Sequence, residues 1–180
     1  MLHNLISIDY EAMTVSLKHA KGMLVLFDFS AAFPSVSHDF LKTSLGLLGL
    51  PAHALNLINA LYDNNKCNRS FQGKRYEGFS MEAGVRQGCP ISPLLFAASV
   101  DILLRILNKR IQGCTIKAFA DDIGAVLQDW ERDSPIAEEV FNTFAEMSGL
   151  ELNMKKTACI PLWDEDIQHI RQRIGDSQTM

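Results

Sequence analysis

Three aspartates stand where carboxylates are costly. Asp28 closes the apolar run from Met23, and Asp121-Asp122 interrupts the apolar stretch between Ile116 and Val126. Two carboxylates about 4 Å apart repel by roughly 4 kcal/mol at an effective dielectric near 20. A divalent cation removes that repulsion. Three carboxylates converging on one point can hold two Mg²⁺ ions and support in-line phosphoryl transfer. The plainer reading is that aspartate is common in turns because its side chain bonds local backbone. For Asp121-Asp122 alone, and more so for Asp28 alone, that plainer reading weighs more. The long stretch of chain between them does not by itself bring them into contact.

The elements that must position these groups follow from periodicity and turn chemistry. Leu2, Ile6, Tyr10, Met13 and Leu17 recur at helical spacing and predict an amphipathic helix over 2–20, buried on that face and ended by Lys21-Gly22. Met23 to Asp28 is a short buried strand. Helices are expected over 37–48 and 52–64, divided at Gly49-Leu50-Pro51. Residues 66–83 are polar and strand-like, turning near Gln72-Gly73-Lys74. Ser92 and Pro93 read as N-cap and first residue of a helix to about Arg110, with Gly113 as a stop. Thr115–Ala120 and Ile123–Leu127 form strands around a tight turn at Asp121-Asp122. Ser134-Pro135 opens a helix with Ile136, Val140, Phe144 and Met147 on one face. Two short strands are expected around Asn153. Strands and helices mix without a βαβ rhythm, so the fold class is α+β with a central antiparallel hairpin.

Composition bounds the rest. At 180 residues the chain fits one domain, and its 47% apolar share is ordinary for a globular core. We take 1–162 as that domain and 163–180 as a polar C-terminal tail. No uninterrupted apolar run reaches 18 residues, so no membrane span is expected. The opening Met1-Leu2-His3-Asn4 carries no basic n-region, which argues against a secretory signal. Cys67, Cys89, Cys114 and Cys159 are irregularly spaced without a Cys-x-x-Cys pair, pointing to a reduced intracellular protein, nuclear or cytoplasmic, with no structural zinc. The net charge of −4 counts against nucleic-acid binding, which usually leaves a basic footprint.

The joint pattern is more specific than its parts. Phe27-Asp28-Phe29-Ser30-Ala31-Ala32-Phe33 resembles motif A of reverse transcriptases, where an aspartate is followed five residues later by an aromatic. Gly84-Val85-Arg86-Gln87-Gly88-Cys89-Pro90-Ile91-Ser92-Pro93-Leu94-Leu95-Phe96 is similar to motif B of the non-LTR retrotransposon enzymes. Phe119-Ala120-Asp121-Asp122 resembles motif C, and Ser148 to Thr157 resembles the motif D region. All four stand in the family's order over about residues 23–160.

The resemblance implies a polymerase palm: a small antiparallel sheet packed against helices, with most of the fingers and the thumb missing. It implies an RNA-directed DNA polymerase that adds deoxynucleotides to a primer 3′-hydroxyl by two-metal-ion catalysis. Asp28, Asp121 and Asp122 would hold two Mg²⁺ ions, with Mn²⁺ a possible substitute, helped by the Phe29 carbonyl. Phe33 would lie beneath the incoming sugar and exclude a ribose 2′-hydroxyl; simple core packing is its plainer role. Gln87 and Gly88 would line the nucleotide pocket. Arg86 would contact template or phosphate, or be an ordinary solvated arginine. A lysine of Lys155-Lys156 would protonate the pyrophosphate, and the Asn-x-x-Lys spacing favours Lys156. Implied partners are an RNA template, a DNA primer and dNTPs, with an endonuclease elsewhere in a full-length element protein.

Two features depart from the family pattern. Pro34 stands where many relatives have Asp, and no primer-grip hairpin is evident. The basic groups Lys66, Arg69, Lys74 and Arg75, and Arg105 with Lys109 and Arg110, are either a remnant of a nucleic-acid groove or solvated faces. The competing readings are a truncated, catalytically inactive remnant acting at most as a binding module, and a different two-metal enzyme such as a nucleotidyl cyclase or nuclease. Phe33, Gln87 and the Asn153-to-Lys156 segment argue against the last, whose chemistry does not need them together.

Overall fold

The computed structural model describes residues 2–19 and 21–163. The polar tail expected at 163–180 lies outside the described residues, apart from Trp163. The chain forms two compact units, Met1–Ser30 with Leu103–Thr143 and Glu151–Met180, and Ala31–Ile102 with Phe144–Leu150.

The first unit is built on a four-stranded antiparallel sheet. Its strands are β1 (Met23–Phe27), β4 (Thr115–Phe119), β5 (Asp122–Leu127) and β6 (Ala158–Pro161), in the order β4-β5-β1-β6. Alternation along β1 sends its side chains to two faces. On one face Phe27 meets Phe141 of helix α6 (Trp130–Ser148), ring centroids 4.5 Å apart. On the other, Leu24 and Val126 pack with Ile8, Ala12 and Val15 of helix α1 (Leu2–Lys18). Gly22 admits this packing, because a Cβ there would collide with Val15 Cγ1.

The face of α1 that is buried is not the expected one. Leu2, Ile6, Tyr10, Met13 and Leu17 are 59–85% exposed, while Ala12 and Val15 are buried. Close approach of a helix to a sheet selects small residues, and that requirement outweighs the larger apolar stripe. Helix α6 begins four residues before Ser134-Pro135. The Asp129 carboxylate accepts from Arg132 N at 3.2 Å, and buried Asp133 accepts from Asp129 N at 3.3 Å, so the cap is Asp129. Its buried face is Ala137, Val140, Phe141 and Phe144; Met147 is exposed. Of the two strands expected around Asn153, β6 forms, while Leu152 makes a single bridge to Phe29.

The second unit contains helices α2 (Ala32–Ser35), α3 (His38–Leu47) and α4 (Ala52–Tyr62), the hairpin β2 (Lys66–Phe71) and β3 (Lys74–Ser80), and the start of α5 (Ser92–Arg110). Ser37 caps α3 by accepting from Phe40 N. The hairpin turns on Gln72-Gly73, both with positive φ, as a two-residue primed turn requires. Ser92 does not cap α5: its Oγ is buried without a partner, and the first-turn N–H groups of Leu94 and Leu95 reach the Ile91 carbonyl. Among the described residues, no helix is long and apolar enough to cross a membrane.

Candidate active site

The register of the sheet brings Asp28 and Asp122 to the same end of two adjacent strands. Strand β1 runs antiparallel to β5 with Phe27 opposite Ile123, so Asp28 follows the last paired residue of β1 and Asp122 precedes Ile123 at the start of β5. Asp121 is the second residue of the loop that joins β4 to β5. That loop is Ala120-Asp121, one residue earlier than the expected Asp121-Asp122 turn, because Asp122 already pairs with Phe119. Ala120 has φ +55°. A non-glycine residue there costs about 1 kcal/mol or more, a strain that collects at functional sites.

The Asp28 carboxylate has one oxygen, Oδ2, buried without a hydrogen-bond partner. The Lys156 ammonium stands 3.7 Å from it. A buried carboxylate oxygen without a donor is costly, and a cation would satisfy it. The donor set suits a hard, oxygen-seeking divalent ion such as Mg²⁺. Among the described residues, no three His, Cys, Asp or Glu side chains converge in a metal-holding arrangement.

Lys156 owes its position to Asn153. The Asn153 N–H donates to the Asp28 carbonyl at 2.7 Å, and the Asn153 carbonyl accepts from Lys156 N and from the N–H and hydroxyl of Thr157. The motif D turn is thus stitched to the end of β1, and Lys156 is the lysine that reaches Asp28. Sequence reading valued Asn153 only as a spacing marker; its role is in its backbone, which leaves no signal in residue type. Phe29 has a buried side chain.

In the second unit, Phe33 stacks on Phe96 with centroids 4.7 Å apart and planes 17° from parallel. Its carbonyl accepts from Val85 N at 2.8 Å, and the Val36 carbonyl accepts from Gly84 N at 2.8 Å. These bonds lay the segment carrying Gln87 and Gly88 along the motif A turn. Both residues are exposed. Gly88 has φ +80° with open space where a Cβ would stand. The tight glycine is Gly84, φ +93°, where a Cβ would lie 2.7 Å from the Pro34 carbonyl oxygen. Arg86 is exposed yet held: its guanidinium donates to Asn65 Oδ1 at 2.8 Å, and its N–H donates to the Tyr62 hydroxyl at 3.4 Å. Neither Asn65 nor Tyr62 stood out in the sequence.

Comparison with known proteins bears on what this arrangement is. The family model for reverse transcriptase (RNA-dependent DNA polymerase) matches residues 2–168. The chain belongs to the reverse transcriptase family. It is a non-LTR reverse transcriptase domain. It is 32% identical over 146 residues to a Pol polyprotein from the type-1 retrotransposable element R2 of Popillia japonica, a match covering 76% of this chain and 20% of that one. It is 29% identical over 148 residues to the Pol polyprotein of the type-2 element R2DM of Drosophila melanogaster, covering 78% and 14%. The reverse transcriptase chain therefore spans a fifth or less of these two relatives. Among solved structures, apo telomerase from Candida tropicalis superposes with a TM-score of 0.67 at 12% identity, covering 87% of this chain and 31% of that one. Telomerase from Candida albicans gives 0.61 at 13%, covering 85% and 30%. These likenesses show the fold: a partial, palm-like polymerase domain.

Proposed function

We propose that this domain carries out RNA-directed DNA synthesis, adding deoxynucleotides to a primer 3′-hydroxyl on an RNA template. The observation that carries the reading is that Asp28 follows β1 and Asp122 opens β5 at the same end of this antiparallel pair, with Asp121 next in the loop and Lys156 beside Asp28. Asp28, Asp121 and Asp122 would supply carboxylate oxygens to two divalent cations, Mg²⁺ or Mn²⁺, with the Phe29 carbonyl assisting. Bound there, the cations would acidify the primer hydroxyl and neutralise the triphosphate. Lys156 holds a proton at Nζ for the leaving pyrophosphate, a general-acid task. Gln87 and Gly88 line the nucleotide pocket, and Phe33 excludes a 2′-hydroxyl. In the domain division that goes with this reading, residues 1–162 are the palm portion.

Support comes from the order and spacing of the four motifs, from family membership, and from the unsatisfied Asp28 oxygen. The test is primer extension on poly(rA)–oligo(dT) with labelled dTTP and Mg²⁺ or Mn²⁺. Extension by the wild-type chain that disappears in Asp121→Asn is expected. A folded wild-type chain that extends no primer would instead favour an inactive remnant.

A further inference from the structure

The hairpin β2–β3 concentrates positive charge in an acidic chain. Between Lys66 and Ser80 it carries Lys66, Arg69, Lys74 and Arg75 against the single carboxylate Glu77, while the whole chain is −4. Among the described residues, Glu77 faces Lys66 at 3.8 Å, and no carboxylate pairs with Arg69, Lys74 or Arg75. The same element exposes large aromatic rings: Phe71 is 64% and Tyr76 50% exposed.

The register arranges these groups into a pattern. Arg69 pairs with Tyr76, and Phe71 pairs with Lys74. Opposed residues share a face, and so do residues two apart on one strand. Arg69, Phe71, Lys74 and Tyr76 therefore form a two-by-two block on one face, with a cation and an aromatic in each row and in each column. Directly opposed Cβ atoms in such a block lie about 4.5–5.5 Å apart. The hairpin buries none of these side chains.

The base of the hairpin is fixed. Asn65, just before β2, is buried; its carbonyl accepts from Met81 N just after β3, at 2.8 Å. Its side-chain oxygen accepts from Arg86, which adds a fifth cation at the hairpin's foot. Gly78 lets the strands close at the register shift, since a Cβ there would collide with the Cys67 carbonyl.

We propose that this face binds a single-stranded polynucleotide, its bases stacking on Phe71 and Tyr76 and its phosphates meeting Arg69 and Lys74. Alternating cations and aromatics match a strand whose charge and π-faces alternate along its length, and a duplex, with its bases stacked inward, offers no π-face to the rings. The surface needs no catalysis, so it stands or falls apart from the polymerase reading.

Fluorescence anisotropy with the full chain and end-labelled U15, dT15 and a blunt DNA duplex tests it. Phe71→Ala/Tyr76→Ala is expected to weaken U15 binding at least about fivefold and leave duplex binding unchanged. Arg69→Gln/Lys74→Gln is expected to lower the slope of log affinity against log salt by about 1.4. A loss on U15 alone assigns an RNA strand, and a loss on both U15 and dT15 assigns either strand; both support the proposal. Circular dichroism checks that the variants fold, as these exposed positions predict. Unchanged U15 affinity and salt slope in folded variants would overturn it. So would aromatic substitutions that turn a self-associated chain into monomers while U15 binding persists, which would make the face a protein interface. Asp121→Asn should bind U15 normally, which separates failure of this surface from failure of catalysis.

Discussion

Phe33 answers to two demands, and they can be separated experimentally. Its ring stacks on Phe96, so Phe33→Ala removes an aromatic pair and some burial, at a cost of about 2 kcal/mol or more in unfolding free energy. If it also gates the sugar, the variant incorporates ribonucleotides at a rate approaching that for deoxynucleotides. A urea melt reads the first effect and a competition between rUTP and dTTP the second. Lost stability with unchanged sugar discrimination would reduce Phe33 to a packing residue. Cys159 is a thiol held quiet by its surroundings. Burial pushes its thiol up to about 11, so its nucleophilic thiolate is scarce near neutrality.

At the scale of elements, turn chemistry was the most legible part of the sequence. Gln72-Gly73 and Gly113 mark ends that the structure keeps. The misreadings come either from a competing signal a few residues away or from a contact far away in sequence. Ser134-Pro135 is a strong helix-start dipeptide, but the Asp129 cap opens α6 earlier and leaves Pro135 in its second turn. The motif A aspartate was legible by type, whereas its nearness to the start of β5 depended on a register that no local pattern encodes. Glycines divide the same way. Gly84→Ala forces a side chain into φ +93° and against Pro34, so a loss of about 2–4 kcal/mol is expected. Gly46→Ala, in an exposed turn of α3 with open space around it, should gain up to about 1 kcal/mol. Chemical-denaturation midpoints moving in the same direction for both would contradict this assignment.

On the scale of the whole molecule, two features of the surface stand out against its bland composition. The net charge of −4 conceals a hairpin with four cations and one carboxylate. The ordinary apolar share conceals the stripe Leu2, Leu5, Ile6, Tyr10, Met13 and Leu17 on α1, each more than half exposed. A contiguous apolar face of that kind drives association in water. The chain is expected to self-associate at micromolar concentration, and Leu5→Glu/Leu17→Lys to shift it towards monomer in sedimentation velocity. A wild-type chain that sediments as a monomer at all concentrations would contradict this.

The account rests on the carboxylates of Asp28, just after β1, and Asp122, at the start of β5, acting as one site. Mn²⁺ binding followed by electron paramagnetic resonance tests that directly, in the wild type, Asp28→Asn, Asp122→Asn and the double variant. Coupled ligands predict that each single substitution removes most of the tight binding and that the double variant loses little more. Losses that simply add, or single variants that bind Mn²⁺ as the wild type does, would contradict a shared site.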